Sequence, residues 1–253
     1  MAQLTGKIAW VTGAGSGIGE AAALALAEEG CTLILTGRRA APLEDVAARI
    51  RAQGGSAYVQ PADLMVADAV QGVADFIGAT CGRLDILVNN AGLNRTDRRW
   101  SQLTAEGIQE IIGGNLTSAA LCARAALALM RPRKDGLLIH TASFAGRFVS
   151  PLSGPMYTAA KHGVVAMSHS INMEECVNNI RSTAICPGEV ATPILDQRPN
   201  PVSAEERARM VQPEDCAALI RFVAIMPAHV CLNEVLISPT ANRSYVAAAN
   251  SRL

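Results

Sequence analysis

Short apolar runs alternate along this chain with longer stretches of helical period. The first run, KIAWVTG at 7–13, reads as a buried strand, and GEAAALALAEEG at 19–30 follows as a helix stopped by Gly30. The alternation repeats, with strands at 31–37, 56–64, 83–92, 136–143, 179–188 and 233–239. Helices are predicted between them at 42–55, 68–82, about 104–131, 155–178 and 213–226. The strands carry almost no charge, as strands covered on both faces do, and this alternation builds parallel βαβ units. Right-handed crossovers then place helices on both sheet faces. The pattern predicts an α/β fold, a single doubly wound domain over 1–253 with a parallel sheet of about seven strands. One stretch departs from it. Proline-rich EVATPILDQRPNPVSAEE at 189–206 reads as an irregular excursion, and 189–212 as a substrate-binding loop or lid within the domain.

Composition changes this picture mainly by exclusion. The chain has 253 residues, 50% of them hydrophobic, and a formal net charge of zero. That supports a large core and offers no basic face for nucleic acid or for an acidic membrane surface. Seven cysteines are scattered without a CxxC pair, which is poor material for disulfides and fits a reducing, cytoplasmic location. Four histidines lack HxxxH spacing, so no protein-ligated metal is expected. The N-terminus lacks a basic segment followed by a long apolar run, and no stretch approaches about 18 uninterrupted apolar residues. Neither a signal peptide nor a membrane span is expected.

Chemistry enters at the first strand–helix junction, VTGAGSGIGE (11–20), where Gly13, Gly15, Gly17 and Gly19 crowd together. Glycine tolerates positive φ and close backbone approach, and the free N–H groups at the next helix start attract phosphate. The dinucleotide pattern GxGxxG fits imperfectly. TGxxxGxG on Thr12, Gly13, Gly17 and Gly19 fits better, with Ser16 and Ile18 inside it. A plain turn would also use glycines; the position after the first strand of a βαβ series favours a dinucleotide. At the end of the second strand, where an acid would hold the ribose of NAD, stand Gly37, Arg38 and Arg39. A guanidinium can clamp a 2′-phosphate through two parallel hydrogen bonds. The charge argument favours NADP over NAD, against the plainer reading of two solvated arginines at a helix start.

MYTAAKHGV (156–164) sets Tyr157 and Lys161 four residues apart, on one face of a helix. A phenol that titrates near ~10 is a poor acid or base at neutral pH. A neighbouring ammonium stabilises phenolate and would make the pair a proton shuttle. The same spacing suits an amphipathic helix with a surface lysine and a half-buried tyrosine.

Taken in order, TGAGSGIG (12–19), Asp63, NNAG (89–92), Asn115, Ser143, Tyr157-x3-Lys161 and PG (187–188) make the whole chain resemble the short-chain dehydrogenase/reductase family. The resemblance implies a Rossmann fold and a nicotinamide-dependent oxidoreductase acting on a secondary alcohol or ketone. It implies that Tyr157 is the general acid/base, that Lys161 lowers its pKa and holds the nicotinamide ribose, and that Ser143 hydrogen-bonds the substrate oxygen. Asn115 would hold a water near Lys161. Asp63, with Leu64 beside it, would contact adenine; Asn90, Ala91 and Gly92 would line the adenosine side; Pro187, Gly188, Val190 and Thr192 would border nicotinamide. A serine at a strand end also often just caps backbone, so Ser143 keeps that second reading. The chain departs from the family in IIGGN, where Gly113 and Gly114 stand in place of a frequent Asp and Val. Two glycines inside a helix cost ~1 kcal/mol each against Ala and are expected to deepen a kink near Asn115. The family usually forms homodimers or homotetramers. Here helix 116–130, apolar on nearly all sides, and the C-terminal 244–253 are the expected interface.

Three segments are expected to build the substrate pocket with Leu93 and Ser143: residues 93–97, the stretch 144–156, and the excursion after Gly188. The second offers Phe144, Phe148, Leu152 and Met156, and the third Glu189, Ile194, Leu195 and Gln197. Such a mix suits a medium-sized, mostly apolar alcohol or ketone. Two other activities stay open. One is an epimerase or dehydratase that retains its nicotinamide. The other is a dinucleotide-binding sensor without turnover, against which the proton-shuttle residues argue.

Overall fold

In β1 (Ile8–Thr12) successive side chains leave on opposite faces and both faces are apolar: Ala9 and Val11 enter one core, Trp10 the other. A strand apolar on both sides needs neighbours on both sides and helices above and below. It has them in the computed structural model, which describes residues 2–193, 195 and 202–251. The remaining strands are β2 (Thr32–Gly37), β3 (Ser56–Pro61), β4 (Ile86–Asn89), β5 (Gly136–Thr141), β6 (Ile180–Pro187) and β7 (Glu234–Ile237). All pair in parallel, in the order β3-β2-β1-β4-β5-β6-β7.

The helices are α1 (Gly17–Glu28), α2 (Ala40–Ala52), α3 (Ala67–Cys81), α4 (Ala105–Ile112), α5 (Ser118–Met130), α6 (Pro155–Glu175), α7 (Ala204–Ala208), α8 (Pro213–Ile225) and α9 (Arg243–Asn250). One core layer joins Val11, Leu33 and Leu35 of the sheet to Leu26 of α1 and Ile220 of α8. The other joins Trp10, Leu87 and Leu138 to Ile77 of α3, Ala126 of α5 and Ile171 of α6. Trp10 is fully buried, and its indole N–H donates to Thr36 Oγ1 at 2.9 Å, so the largest core side chain leaves no donor unpaired. This is a single Rossmann-like α/β domain, as the alternation predicted.

The order reverses beside β1: the chain proceeds outward through β2 and β3, then returns to lay β4 on the other side. Such a switch point opens a crevice at the carboxyl ends of β1 and β4, where the glycine turn and Asn90–Gly92 emerge.

One expectation is corrected, and two other segments gain detail. Residues 189–206 are not wholly irregular, since α7 forms there on a capping box between Ser203 and Glu206. The C-terminal stretch is a helix, α9, that turns toward the cleft. Helix α5 is covered largely by its own chain: Ala119, Cys122, Ala126, Leu127 and Met130 are buried, and Ala120, Arg124 and Ala128 are left exposed. The run Ala105–Arg133 is long and apolar enough to cross a membrane by composition, yet 56% of its most apolar window is buried inside the fold.

Candidate active site

The glycine turn is held by backbone geometry that side chains would disturb. Gly13 and Gly17 have φ of +65° and +57°. At Gly17 a Cβ would lie 3.0 Å from Thr192 Cγ2. Gly19 serves a different end: its Cβ would lie 2.6 Å from Asn90 Nδ2 and collide with the Gly13 carbonyl, so it lets α1 close onto β1. Thr12 is likewise structural. It is fully buried, and its Oγ1 accepts from Asn90 N (2.9 Å) and Ala91 N (3.0 Å), tying the first strand to the turn after β4. Thr12 and Gly19 were expected as cofactor contacts; both lie behind the cavity wall.

The cavity at the crevice measures about 590 Å³. Its dinucleotide end is lined by Gly13, Ser16, Gly17, Ile18, Asn90, Ala91 and Gly92, and Pro187, Gly188, Val190 and Thr192 continue the wall. An adjoining cleft of about 320 Å³ carries Arg38, Arg39, Asp63, Leu64 and Met65. Arg38 and Arg39 are exposed, and no carboxylate pairs with either among the described residues. Asp63 also accepts from Met65 N at 3.0 Å, which shapes its own loop.

Helix α6 starts at Pro155 behind Gly154, whose φ is +81°. It delivers Tyr157 and Lys161 to the cavity, and the end of β5 delivers Ser143. Lys161 Nζ lies 5.5 Å from the Tyr157 ring centroid and donates to the Thr141 carbonyl at 2.9 Å. Burial lowers the lysine to about 8. Burial also raises the Tyr157 phenol, and the Ser143 hydroxyl and the Arg98 guanidinium work against that rise. The lysine was expected to pull the phenol down. Instead desolvation dominates, and the ammonium is turned toward a carbonyl. Ser143 does cap backbone, accepting from Ala145 N at 3.1 Å, and still lines the cavity.

Asn115 sits in a π-helical turn, Gly113–Thr117, between α4 and α5, a device common at functional sites. Its two glycines lie close under neighbouring side chains. A Cβ on Gly114 would lie 2.6 Å from Leu93 Cδ2, and one on Gly113 2.6 Å from Met65 Cε. Asn115 Nδ2 donates to Leu93 O and Ile111 O, both at 2.8 Å, and Oδ1 accepts from Leu93 N. A Cβ on Gly92 would be 2.8 Å from Asn115 Oδ1 and 3.4 Å from Lys161 Nζ, so asparagine and lysine face one another across bare backbone.

Leu93, Phe144, Phe148, Leu152, Glu189 and Leu195 line the cavity as expected. Met156 does not; Ile194 and Gln197 lie outside the described residues. Asn94 and Arg95 line the cavity from the expected segment; sequence reasoning missed Arg98 from the same loop, Asn242 just before the C-terminal helix, and Arg243 and Tyr245 in it. The ring of Tyr245 meets Phe144 edge-on at 6.4 Å, and Phe144 and Phe148 stack at 4.4 Å. Asn94–Asp97 fell within an expected pocket segment; nothing in the sequence points α9 at the cleft.

With this geometry in place, the relatives bear on it directly. The family model for short chain dehydrogenase matches residues 7–202. A 3-oxoacyl-[acyl-carrier-protein] reductase of Synechocystis sp. is 36% identical over 235 residues, which cover 90% of this chain and 93% of that protein. The X-ray structure of an alcohol dehydrogenase from the archaeon Thermococcus sibiricus, complexed with 5-hydroxy-NADP, superposes with a TM-score of 0.85 at 27% identity, over 94% of this chain and 98% of that one. A metagenomic short-chain oxidoreductase in complex with NADP gives 0.82 at 30% identity, over 94% and 99%.

Proposed function

The chain belongs to the short-chain dehydrogenase family of NAD(P)-dependent oxidoreductases, and from that premise we propose that it transfers hydride between NADP(H) and a medium-sized, mostly apolar secondary alcohol or ketone. The observation that carries this reading is the meeting of Ser143, Tyr157 and Lys161 in one cavity with the bare glycine turn. The turn fits a dinucleotide, because its walls at Gly13, Gly17 and Gly92 are backbone that a Cβ would fill. The bound nicotinamide supplies or accepts the hydride.

In the reductive direction Tyr157 gives its proton to the substrate oxygen, and the Ser143 hydroxyl holds that oxygen as charge develops on it. Burial keeps the phenol protonated at neutral pH, the form that reduction requires. Lys161 braces the ribose side, and Asn115 completes a path along which the tyrosine is reprotonated. Arg38 and Arg39 hold the 2′-phosphate, which is the basis for preferring NADP. Of the loop at 189–212, Glu189, Val190, Thr192, Pro193 and Leu195 flank the substrate, and residues 194 and 196–201 lie outside the described residues. Exposed Phe222, Leu236 and Met173 supply apolar surface for a homodimer or homotetramer.

The test is a titration with NADPH and NADH separately, followed by nicotinamide fluorescence, and then a screen of aryl and alkyl ketones by loss of nicotinamide absorbance. Binding of neither dinucleotide sinks the proposal. Turnover of a chiral substrate with no net absorbance change would move it to an epimerase. The Synechocystis relative adds a 3-oxoacyl thioester to the screen.

A further inference from the structure

Aromatic side chains are scarce in this chain, with four phenylalanines, three tyrosines and two tryptophans. Among the described residues Trp10 alone of them joins the buried hydrophobic core, which is otherwise built from Ala, Val, Leu, Ile, Met and Cys. Two of the phenylalanines and two of the tyrosines instead line one cavity, as Phe144, Phe148, Tyr157 and Tyr245. Tyr157 has its proton to transfer. The other three have no part in that chemistry, and they meet one another.

Phe144 and Phe148 stand four residues apart just after Ser143, and Phe148 N donates to the Phe144 carbonyl at 2.9 Å. Their ring centroids are 4.4 Å apart, with the planes tilted by 32°. Tyr245 comes from α9 and meets Phe144 edge-on, at 6.4 Å and 69°. The three rings therefore form a corner, one wall near-stacked and the other closer to perpendicular. The base of the corner is fixed. Gly146, between the two phenylalanines, packs so closely on α6 that a Cβ there would lie 2.8 Å from the Lys161 carbonyl oxygen. Arg147 Nε is paired with Glu234 of β7 at 2.9 Å. On the open side Phe148 is 48% exposed and Tyr245 55% exposed, although both border the cavity. Exposed ring surface at a cavity wall is apolar area that an apolar guest covers.

An aliphatic guest gains only that buried area. A flat aromatic ring gains more, because its negative face and positive edge match rings set at an angle to each other: it stacks on one and presents its edge to another. We propose that this corner seats an aromatic ring of the substrate, so that the carbonyl compound taken here is an aryl ketone. Phe144 follows Ser143 directly in the chain, which keeps the ring site beside the reacting oxygen. This deepens the hydride-transfer reading and rests on it. Hydride from the reduced nicotinamide adds to the carbonyl carbon, the oxygen takes the Tyr157 proton, and the ring is unchanged.

The experiment compares acetophenone with cyclohexyl methyl ketone, which share a carbon skeleton and differ in aromaticity, using NADPH and the full chain. Conjugation lowers the reactivity of the aryl carbonyl, so the comparison is read in KM and between variant and wild type. The wild type is expected to show a KM for acetophenone about 2- to 10-fold below that for the cyclohexyl ketone, the range of one aromatic contact. Phe148→Leu and Tyr245→Leu, which keep an apolar side chain and remove the ring, each bring the ratio toward one, and Tyr245→Phe keeps it. Equal or reversed KM values in the wild type, or a ratio unchanged in both leucine variants, overturn the assignment and leave the oxidoreductase standing. So does a wild type that reduces a 3-oxoacyl thioester but neither ketone of this pair. Should a leucine variant fail to bind NADPH as a folded protein does, the wild type decides alone: benzamide must compete against reduction better than cyclohexanecarboxamide, and equal competition overturns the assignment. A wild type that binds NADPH and reduces no carbonyl compound removes the oxidoreductase reading, and this inference with it.

Discussion

Arg243 Nε lies 3.0 Å from the Glu189 carboxylate, so the first residue of α9 grips a residue two positions beyond β6. The same guanidinium reaches Glu206 of α7 at 3.3 Å. One side chain thus joins the cleft wall, the excursion and the C-terminal helix. The partners are partly exposed, so the pair contributes less than about 1 kcal/mol to stability. Arg243→Gln is expected to leave the melting temperature nearly unchanged while KM for the carbonyl substrate rises several-fold. Calorimetry and steady-state kinetics check this together, and a large fall in melting temperature with unchanged KM would refute it.

Tyr157→Phe removes one hydroxyl from a half-buried ring. Loss of a positioned proton donor costs roughly 10²- to 10⁴-fold in kcat. NADPH affinity should stay within a few-fold of wild type, as measured by fluorescence titration. A variant that still turned over at near wild-type rate would place the proton donor elsewhere.

Arg38→Gln deletes a charge at the edge of the smaller cleft. A charge-assisted contact is worth ~1.5–3 kcal/mol, so NADPH should bind about 10- to 100-fold more weakly. NADH, which lacks the 2′-phosphate, should bind as before. Equal weakening of both cofactors would show that Arg38 does not read the phosphate.

Gly113 and Gly114 separate propensity from packing. Alanine gains ~1 kcal/mol of helix propensity at either site. At Gly113 the new methyl meets the far end of a flexible methionine, Met65, which can swing aside. At Gly114 it meets Leu93 at both Cδ2 (2.6 Å) and Cγ (2.9 Å), on a loop that Asn115 holds. Gly113→Ala should be neutral or stabilising, and Gly114→Ala destabilising by about 1–3 kcal/mol. Urea unfolding of the two variants distinguishes them.

His140 is fully buried beside Asn89, 3.2 Å from its Nδ2, and burial, with the Lys161 charge, holds its pKa down at about 4. Unfolded, it titrates near 6.5, so between those values the unfolded chain binds the extra proton. The stabilisation from keeping it neutral is complete above pH 6.5 and is lost as pH falls toward 4, about 3 kcal/mol in all. His140→Asn should flatten that part of the stability–pH curve relative to wild type. Parallel curves for the two proteins would contradict the assignment.

Much of this was legible in the chain. Strand–helix alternation specified about seven parallel strands, because nearly uncharged strands separated by helices build βαβ units. TGAGSGIG and Tyr157-x3-Lys161 were legible because their spacings are local, a tight turn and one helical turn. Local spacing misled where its neighbours mattered more. Thr12 and Gly19 belong to the cofactor motif by position, yet Thr12 spends its hydroxyl on the backbone of Asn90 and Ala91, and Gly19 exists to let α1 pack. Lys161 stands one turn from Tyr157 as predicted, but spacing says nothing of desolvation, and burial raises the phenol.

By itself, then, the sequence determined the elements, their parallel order of covered strands, the phosphate-binding turn and the tyrosine–lysine pair, since each is set by residues within one or two turns of each other. Only the tertiary structure decided that Arg98 lies against Gly154, that Gly92 brings Asn115 to Lys161, and that α9 returns Arg243 to Glu189. Those contacts join residues 23 to 69 positions apart. They follow from how packed layers bring loop ends to one sheet edge, which no local pattern encodes.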